Sequence, residues 1–252
     1  MSSRSDSHIV AGIHAVRSAI KHGKSQVDQL WLDLSRKDKR LHELEAEAKQ
    51  LGIRVSRTQK KVLDDMSPGV NHQGAVAQVK APSSLGEKQL YGLLDENDGP
   101  VLLLVLDGVT DPHNLGACLR SADAAGVNAV IAPKDKSAGL TPVACKVASG
   151  AAETIPYVQV TNLARTLDKL KNDYNIWLIG TAGEAGTCLY DTDLKGNLAV
   201  VMGAEGKGMR RLTREACDAL VKLPMQGSVE SLNVSVATGV CLFEAVRQRS
   251  LQ

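Results

Sequence analysis

The residues best suited to chemistry lie in three polar or glycine-rich stretches, each of which follows an apolar run that predicts a β-strand. The first stretch, residues 107–122, holds Asn114 and Arg120 six positions apart. Ligands of open α/β sheets bind beyond the carboxyl ends of the strands, so a long polar loop that leads from a strand into a helix is a candidate binding site. Considered alone, Asn114 fits a helix cap, and Arg120 fits a surface or ion-pairing residue.

The second stretch, residues 200–209, places Gly203, Gly206 and Gly208 between a predicted strand and a predicted helix. Glycine there permits positive φ angles and a close approach of the backbone to a ligand. The spacing is G-x-x-G-x-G, not the dinucleotide pattern G-x-G-x-x-G, and Lys207 lacks the Ser or Thr that completes a P-loop. A nucleotide-like site and a simple turn both stay open, while packing explains the carboxylate of Glu205 poorly.

The third stretch, residues 223–237, begins with Pro224 after a predicted strand and continues as a loop of small residues. Ser231 or Asn233 opens the last predicted helix, and both residue types are common helix caps. Gly183 adds a flexible turn after another predicted strand. Each of these features has a structural explanation beside a functional one.

The elements that must position these stretches alternate between strand and helix. Apolar runs predict strands at 101–106, 127–132, 155–160, 176–180, 198–202 and 220–223, and helical patterns predict helices at 114–125, 141–149, 162–173, 211–219 and 233–249. Thr141 and Pro142 suit a helix start, as does Asn162. Short strands that are apolar throughout are typical of a parallel sheet covered on both faces.

The first 80 residues predict a smaller α/β unit. The pattern indicates helices at 14–22 with Gly23 as the cap, at 39–51, and from a Thr58 cap to about Met66, with strands at 27–34, 53–55 and 74–79. We therefore expect a domain over residues 1–80, a polar linker that can hold a helical turn over 81–98, and a second domain over 99–252.

Charge is distributed unevenly between these two domains. The whole chain has a formal net charge of +2, but residues 1–80 hold 14 Lys and Arg against 9 Asp and Glu, while residues 81–252 hold 16 against 19. A basic first domain and a mildly acidic second one predict different partners. Aromatic residues make up only 3% of the chain, which argues against an RNA reader that stacks bases on a ring-lined sheet.

Several other classes of protein are disfavoured. The longest strongly apolar run, residues 101–106, is far too short to span a bilayer, and the polar N-terminus lacks a signal-peptide core. The five cysteines are odd in number and far apart, which supports neither a disulfide framework nor a CxxC zinc site. We expect a cytoplasmic protein with reduced cysteines, no membrane association and no metal.

Taken together and in this order, the three stretches resemble motifs 1, 2 and 3 of the SpoU branch of the SPOUT RNA methyltransferases. Residues 114–120 match N-x-G-A-x-x-R, residues 203–208 match G-x-E-G-x-G, and residues 224–235 match P-M-x-G-x-x-x-S-L-N-V-S. The resemblance covers nearly the whole chain, including residues 72–74 and 146–153. It is greatest to members that methylate a guanosine of 23S rRNA.

The resemblance implies a fold and a cofactor. The fold would be an α/β knot, a deep trefoil built on a parallel sheet, which is a rare exception to the rule against threaded chains. A small ribosomal-protein-like RNA-binding domain would precede it. The knot's loops would bind S-adenosylmethionine through Thr181, Ala182, Gly183, Gly203, Gly206, Leu223, Met225 and Leu232.

The same resemblance implies methyl transfer to a ribose 2′-hydroxyl, with Arg120 as the central catalytic residue. Asn114, Glu205, Ser231 and Asn233 would complete the catalytic set. Because the pKa of an arginine lies above 12, we expect Arg120 to polarise the hydroxyl and stabilise the alkoxide, not to act as a free base. Family members are homodimers, so we expect a homodimer that acts on 23S rRNA.

Three alternatives stay open at this point. A nicotinamide- or nucleotide-binding enzyme would use the glycine loop, but the glycine spacing is wrong for it. A non-catalytic RNA-binding or ribosome-assembly protein would have a retired site, which the intact set of Asn114, Arg120, Glu205 and Asn233 argues against. A relative that methylates tRNA or another ribose is disfavoured by the first domain and by the whole-length match.

Overall fold

The computed structural model describes residues 7–22, 27–80 and 82–251, and the chain divides into two compact units, Met1–Pro82 and Ser83–Gln252. Strands and helices are numbered in chain order through both units. No helix among the described residues is long and apolar enough to cross a membrane.

The N-terminal unit is a four-stranded sheet with three helices. Its strands are β1 (Ser7–Ala11), β2 (Val27–Asp33), β3 (Arg54–Thr58) and β4 (Ala75–Lys80), and its helices are α1 (Ile13–His22), α2 (Lys39–Gln50) and α3 (Lys60–Met66). The strand order is β1-β4-β2-β3, with β2 parallel to β3 and β4 antiparallel to both of its neighbours. Leu41 and Leu44 of α2 recur at helical spacing and are fully buried against Leu30 and Leu32 of β2.

The C-terminal unit is built on a seven-stranded sheet. Its strands are β5 (Leu102–Asp107), β6 (Ala129–Pro133), β7 (Tyr157–Val160), β8 (Trp177–Thr181), β9 (Thr187–Cys188), β10 (Leu198–Gly203) and β11 (Ala219–Lys222). Its helices are α4 (Glu87–Asp95), α5 (Pro112–Ala124), α6 (Pro142–Ala148), α7 (Ala151–Thr154), α8 (Leu163–Tyr174), α9 (Arg211–Ala216) and α10 (Val234–Arg249).

The seven strands pair in the order β7-β6-β5-β10-β8-β11-β9, and every pairing is parallel. Alternate residues of β5 enter two separate cores, because Leu102, Leu104 and Leu106 join one cluster and Leu103 and Val105 join the other. Both faces are therefore covered, which explains why the strands are apolar throughout. The six strands and five helices predicted for this region are confirmed, as is the α/β class.

The structure differs from the sequence-based prediction in the unpredicted short elements α7 and β9, in strand β1, in the cap of α3 and in residues 81–98. Strand β1 was not anticipated, because five residues of half-exposed strand carry little apolar pattern. Thr58 is the last residue of β3, and Gln59 occupies the cap position of α3. Residues 81–98 include α4, whose Leu90 and Leu94 are buried in a core of the C-terminal unit. Gly23 lies outside the described residues.

Candidate active site

The three chemically suggestive stretches lie at one edge of the C-terminal sheet. Strand β10 pairs with β5 on one side and with β8 on the other, and β11 pairs with β8. Since all four strands are parallel, the loops after their carboxyl ends are neighbours. Asp107 and Gly203, which end β5 and β10, lie opposite each other in the register.

Asn114 is not the cap of its helix. Asp111 holds that position, and its carboxylate accepts a hydrogen bond from the His113 amide at 2.9 Å. Pro112 is the first helical residue, which leaves the side chain of Asn114 available in the first turn. The glycine of the same motif has a packing role: a Cβ on Gly116 would lie 2.5 Å from the carbonyl oxygen of Ala144 in α6.

Asn233 is the cap of α10 and also a member of the site. Its Oδ1 accepts hydrogen bonds from the amide of Ser235 at 2.9 Å and from the Ser235 hydroxyl at 2.6 Å. Its Nδ2 donates to Glu205 Oε1 at 2.7 Å and to Asn114 Oδ1 at 3.0 Å. The cap interpretation of Asn233 is therefore confirmed, and the same side chain also contacts Glu205 and Asn114.

Asn114, Glu205 and Asn233 form a closed network, which we call the Asn-Glu-Asn cluster. Glu205 Oε1 accepts from Asn114 Nδ2 at 3.2 Å, and the Val234 amide lies 3.4 Å from the same oxygen. Because Glu205 meets the N-terminal end of α10, the helix favours a negative charge at this position. The cluster joins motifs 1, 2 and 3 through side chains that are far apart in sequence.

The glycine loop forms a tight turn that presents Glu205. Ala204 and Gly208 exchange backbone hydrogen bonds at 3.1 and 2.9 Å, and Gly206 and Gly208 have φ angles of +73° and +64°. A Cβ on Gly203 would lie 2.3 Å from the backbone of both Gly208 and Met209. The glycines are thus required by the folding of the loop on itself, and Glu205 lies exposed at its tip.

Asp107 and Arg210 form an ion pair that the sequence analysis did not single out. Asp107 Oδ1 accepts from Arg210 Nε and Nη2, both at 2.6 Å, and its Oδ2 accepts from the Arg210 amide at 2.8 Å. The Asp107 side chain is fully buried, whereas that of Arg210 is half exposed. The pair fastens the glycine loop to the end of β5. The feature of the sequence that could have indicated this pair is a carboxylate at the end of an otherwise apolar strand.

A cavity of about 640 Å³ opens beside the cluster. Asn114 and Glu205 form part of its wall, together with the cations Lys136, Lys207 and Arg210. Lys136 has a φ of +60°, a conformation that is uncommon for residues other than glycine and that recurs at functional sites. The wall also holds the carboxylates of Asp107, Asp111 and Glu205, so the cavity offers cations, carboxylates and the Asn114 amide as hydrogen-bonding partners for a polar substrate with hydroxyl groups.

The residues assigned to the cofactor lie after the neighbouring strands β8, β10 and β11. Thr181 ends β8, and its hydroxyl lies 3.4 Å from the carbonyl oxygen of Val201. Ala182 and Gly183 follow it, Gly203 and Gly206 belong to the glycine loop, and Leu223, Met225 and Leu232 belong to the loop after β11.

The loop after β11 fits a ligand with a flat apolar ring and polar edges. Leu223 packs partly buried against the core, while Leu232 is 37% exposed at the other end of the loop. Residues 226–232 make no hydrogen bond to any other residue that the structure describes. Their backbone donors and acceptors are available to bind the edge of an adenine. These features fit S-adenosylmethionine.

Two of the five predicted catalytic residues lie outside the cluster. Six residues turn a helix by about 600°, so Arg120 projects about 120° around α5 from Asn114. The side chains of Arg120 and Ser231 are exposed, and neither makes a hydrogen bond or an ion pair with any described residue. Among the described residues, Asn114, Glu205 and Asn233 contact one another, and neither Arg120 nor Ser231 contacts this group.

The cysteines take no part in this site. Cys118, Cys145 and Cys241 are buried, whereas Cys188 and Cys217 are half-buried. Burial raises the pKa of the Cys118 thiol to about 11 and that of Cys241 to about 12, so both are neutral at physiological pH. Among the described residues, no group of three or more His, Cys, Asp or Glu side chains could hold a metal ion.

Comparison with known proteins agrees with this geometry. Residues 101–243 match the model of the SpoU rRNA Methylase family, and residues 9–85 match that of the RNA 2'-O ribose methyltransferase substrate binding domain. The chain is 59% identical over 241 residues to the 23S rRNA (guanosine-2'-O-)-methyltransferase RlmB of Shewanella oneidensis, covering 96% of this chain and 97% of that one. Its identity to the RlmB of Haemophilus influenzae is 58% over 240 residues, covering 95% and 97%.

The solved structures that resemble this chain include RNA methyltransferases of the same kind. The SpoU methyltransferase AviRb of Streptomyces viridochromogenes, solved in complex with AdoMet, superimposes with a TM-score of 0.78 at 25% identity and covers 99% of this chain and 93% of its own. An RNA 2'-O ribose methyltransferase has a TM-score of 0.75 at 27% identity, covering 98% and 90%. With the three motifs joined at one sheet edge and a substrate-binding unit before them, the chain belongs to the SpoU rRNA methylase family and has its α/β-knot fold.

Proposed function

We propose that this protein transfers a methyl group from S-adenosylmethionine to the ribose 2′-hydroxyl of a guanosine in 23S rRNA. The observation that carries the proposal is the Asn-Glu-Asn cluster, which unites the three family motifs beside a polar cavity. High identity to RlmB relatives over nearly the whole chain supports the same substrate.

The cofactor supplies an electrophilic methyl group on a positively charged sulfur. Thr181, Ala182, Gly183, Gly203, Gly206, Leu223, Met225 and Leu232 are the residues that we assign to its binding. The unpaired backbone of residues 226–232 supports this assignment, since such groups can bond an adenine edge without any side chain.

The chain's own residues hold the ribose and stabilise the charge that develops on its oxygen. Arg120 polarises the 2′-hydroxyl and stabilises the alkoxide, and Ser231 contributes from the loop that precedes α10. Asn114 and Asn233, oriented by Glu205, position the ribose through their amides. Holding two reactants in line can lower a barrier by several kcal/mol, about 7–11 kcal/mol in the best intramolecular cases.

The cations of the cavity bind the phosphates that flank the target nucleotide. Lys136 and Lys207 are exposed on its wall, while the Asp107 carboxylate holds Arg210 in place. Phosphate contacts position an RNA without reading its sequence. The cavity therefore accounts for affinity and register, and the choice of nucleotide needs further contacts.

The N-terminal unit, which we assign to residues 1–80, binds the RNA substrate. Its match to the substrate-binding family and its excess of basic residues support this role. A variant that lacks residues 1–80 should bind S-adenosylmethionine normally and methylate rRNA poorly. Full activity of that variant on rRNA would contradict the division of labour between the two units.

We also propose that the protein is a cytoplasmic homodimer, formed through the exposed face of α10. Val236 and Phe243, two helical turns apart on this face, are 53% and 48% exposed. The opposite face, with Cys241, Leu242 and Ala245, is buried in the core. A second copy of the chain would cover the exposed stripe. In sedimentation experiments the wild type should be a dimer and the Phe243→Glu variant a monomer.

Methyl transfer from labelled S-adenosylmethionine tests the activity directly. Transcripts of 23S rRNA and of tRNA are incubated with the protein, and the labelled RNA is digested and analysed by mass spectrometry. We expect one 2′-O-methylguanosine in 23S rRNA. A methyl group on a base, or labelling of tRNA alone, would overturn the proposal.

A further inference from the structure

One end of the N-terminal sheet gathers several loops of the chain. The parallel strands β2 and β3 end there at Asp33 and Thr58, and the antiparallel strand β4 begins there, with Ala75 opposite Leu32. Residues 34–40, 57–61 and 71–74 therefore meet at one edge, which we call the loop end. The segment His72-Gln73-Gly74 within it belongs to the family resemblance but has no role in the active site.

The segment Asn71–Gly74 is held in a defined shape. His72 is 5% exposed, and its Nδ1 accepts from the Gly74 amide at 3.0 Å. Its Nε2 therefore carries the proton and donates to Asp64 Oδ1 at 3.0 Å. The ring thus links the segment before β4 to α3.

Gln73 lies at the tip of this segment with a φ of +50°, a strained conformation for a residue other than glycine. Arg36 Nη1 donates to the Gln73 carbonyl oxygen at 2.6 Å, and a Cβ on Gly74 would lie 2.9 Å from the Arg36 Cδ. The backbone is thus fixed from two sides. The Gln73 side chain is exposed and bonds to no residue that the structure describes.

The loop end also carries four cations that no carboxylate neutralises. Lys37, Arg40, Lys60 and Lys61 are exposed, and none has an acidic partner within 4 Å among the described residues. Three of the nearby carboxylates have other partners, whereas the exposed Asp65, one turn after Lys61 in α3, forms no ion pair with any described residue. Asp38 pairs with Arg36, Glu45 with Arg57, and Asp64 with His72.

We infer that the loop end is the surface by which this unit grips RNA, with the four cations on backbone phosphates and the Gln73 amide on a ribose hydroxyl or base edge. Cations without acidic partners, beside an exposed amide on a fixed backbone, match the alternation of phosphate and polar edge along an RNA strand. The surface uses no aromatic ring, in keeping with the composition of the chain. This inference rests on the proposed function in taking RNA as the substrate.

The opposite end of the same sheet provides a matched control. Lys21, Lys49, Arg54 and Lys80 are exposed there, near the last turns of α1 and α2, the start of β3 and the end of β4. Lys49 pairs with Glu45, and Lys80 lies 4.0 Å from Asp28. Replacing these four residues changes the net charge by the same amount as replacing the four cations of the loop end.

The test measures binding of the full-length protein to a fluorescent fragment of 23S rRNA between 50 and 300 mM salt. Changing Lys37, Arg40, Lys60 and Lys61 together to Gln should raise Kd about 10-fold or more and reduce the salt slope by about 3, since each phosphate contact contributes about 0.7–0.9. The control quadruple variant should bind within about 2-fold of the wild type. Gln73→Ala should raise Kd about 3-fold or more with an unchanged salt slope.

Circular dichroism and Tm measurements first show that each variant folds. An equal loss of RNA affinity in both quadruple variants, or no loss in either, would overturn the inference. Methyl transfer to the same RNA is measured in parallel. If no RNA is methylated but the loop-end variant still loses RNA binding, the proposed activity fails and the surface stands. If the loop-end variant methylates subsaturating RNA at the wild-type rate, the surface fails and the activity stands.

Discussion

The side-chain amide of Asn233 lies 2.7 Å from Glu205 Oε1, while the carbonyl oxygen of the same side chain caps helix α10. One residue therefore begins the last helix and orients the carboxylate of the glycine loop. The two roles use different atoms, so they can be separated by substitution.

Asn233→Asp should lower the rate of methyl transfer by about 100-fold or more while leaving Tm nearly unchanged. Aspartate caps a helix as well as asparagine does, but it would place a second carboxylate against Glu205. As the pH falls, one of the two neighbouring carboxylates binds a proton and can donate a hydrogen bond to the other. Part of the rate should therefore return at low pH. Kinetics from pH 5 to 8, with Tm recorded alongside, check this expectation. Full activity at pH 8 would show that the amide donor is dispensable.

Arg120→Lys should be nearly as inactive as Arg120→Ala, at all pH values. The planar guanidinium offers several donors in a fixed arrangement, whereas an ammonium group is a compact point charge. Turnover of both variants with saturating S-adenosylmethionine and rRNA, measured from pH 6 to 10, separates geometry from charge. Recovery of most of the rate by the lysine variant at high pH would mean that a basic group alone is sufficient.

Gly203→Ala should destabilise the protein by at least about 2 kcal/mol and abolish methyl transfer. The added Cβ would lie 2.3 Å from the backbone of Gly208 and Met209, so the loop would have to open. Urea unfolding and an activity assay measure the two effects. Gly139→Ala is the matched control, since a Cβ there meets nothing within 4 Å. Similar unfolding midpoints for the two variants would contradict the packing argument.

Glu244→Gln should lower the free energy of unfolding by about 1 kcal/mol at pH 7, a modest value because solvent screens the exposed Arg247 partner. Hydrogen bonds from Arg247, at 2.7 and 2.8 Å, lower the pKa of Glu244 from 4.5 to about 2. Because the pKa of Glu244 is lower in the folded state than in the unfolded state, its ionised form stabilises the protein at pH values above about 4.5. This contribution is lost as the pH falls from about 4.5 towards 2.

The difference between wild type and Glu244→Gln should therefore shrink below pH 4.5. Urea titrations at pH 7, 5, 4 and 3 measure it. A constant difference across this range would show that the charge of Glu244 contributes nothing to stability.

The amino-acid sequence by itself determined the class of fold and the loops that carry the candidate site. Hydrophobic runs set the strands of the C-terminal unit, and the loops after them carry the three motifs, because parallel strands end at a common edge. Motif spacing was also sufficient to indicate the family. These features are local or periodic, and no knowledge of long-range contacts is needed to find them.

Only the tertiary structure decided which residues meet. Asn114 bonds to Glu205 and Asn233, which lie 91 and 119 positions further along the chain. The sequence alone could not show whether Asn114 and Asn233 cap helices or contact other motifs. The answer depends on Asp111 being the cap of α5 and on β10 lying beside β5. The same strand order brings Arg210 to the buried Asp107 and leaves Arg120 apart from the cluster. Side-chain pairing across a sheet edge follows from strand order, which hydrophobic periodicity does not encode.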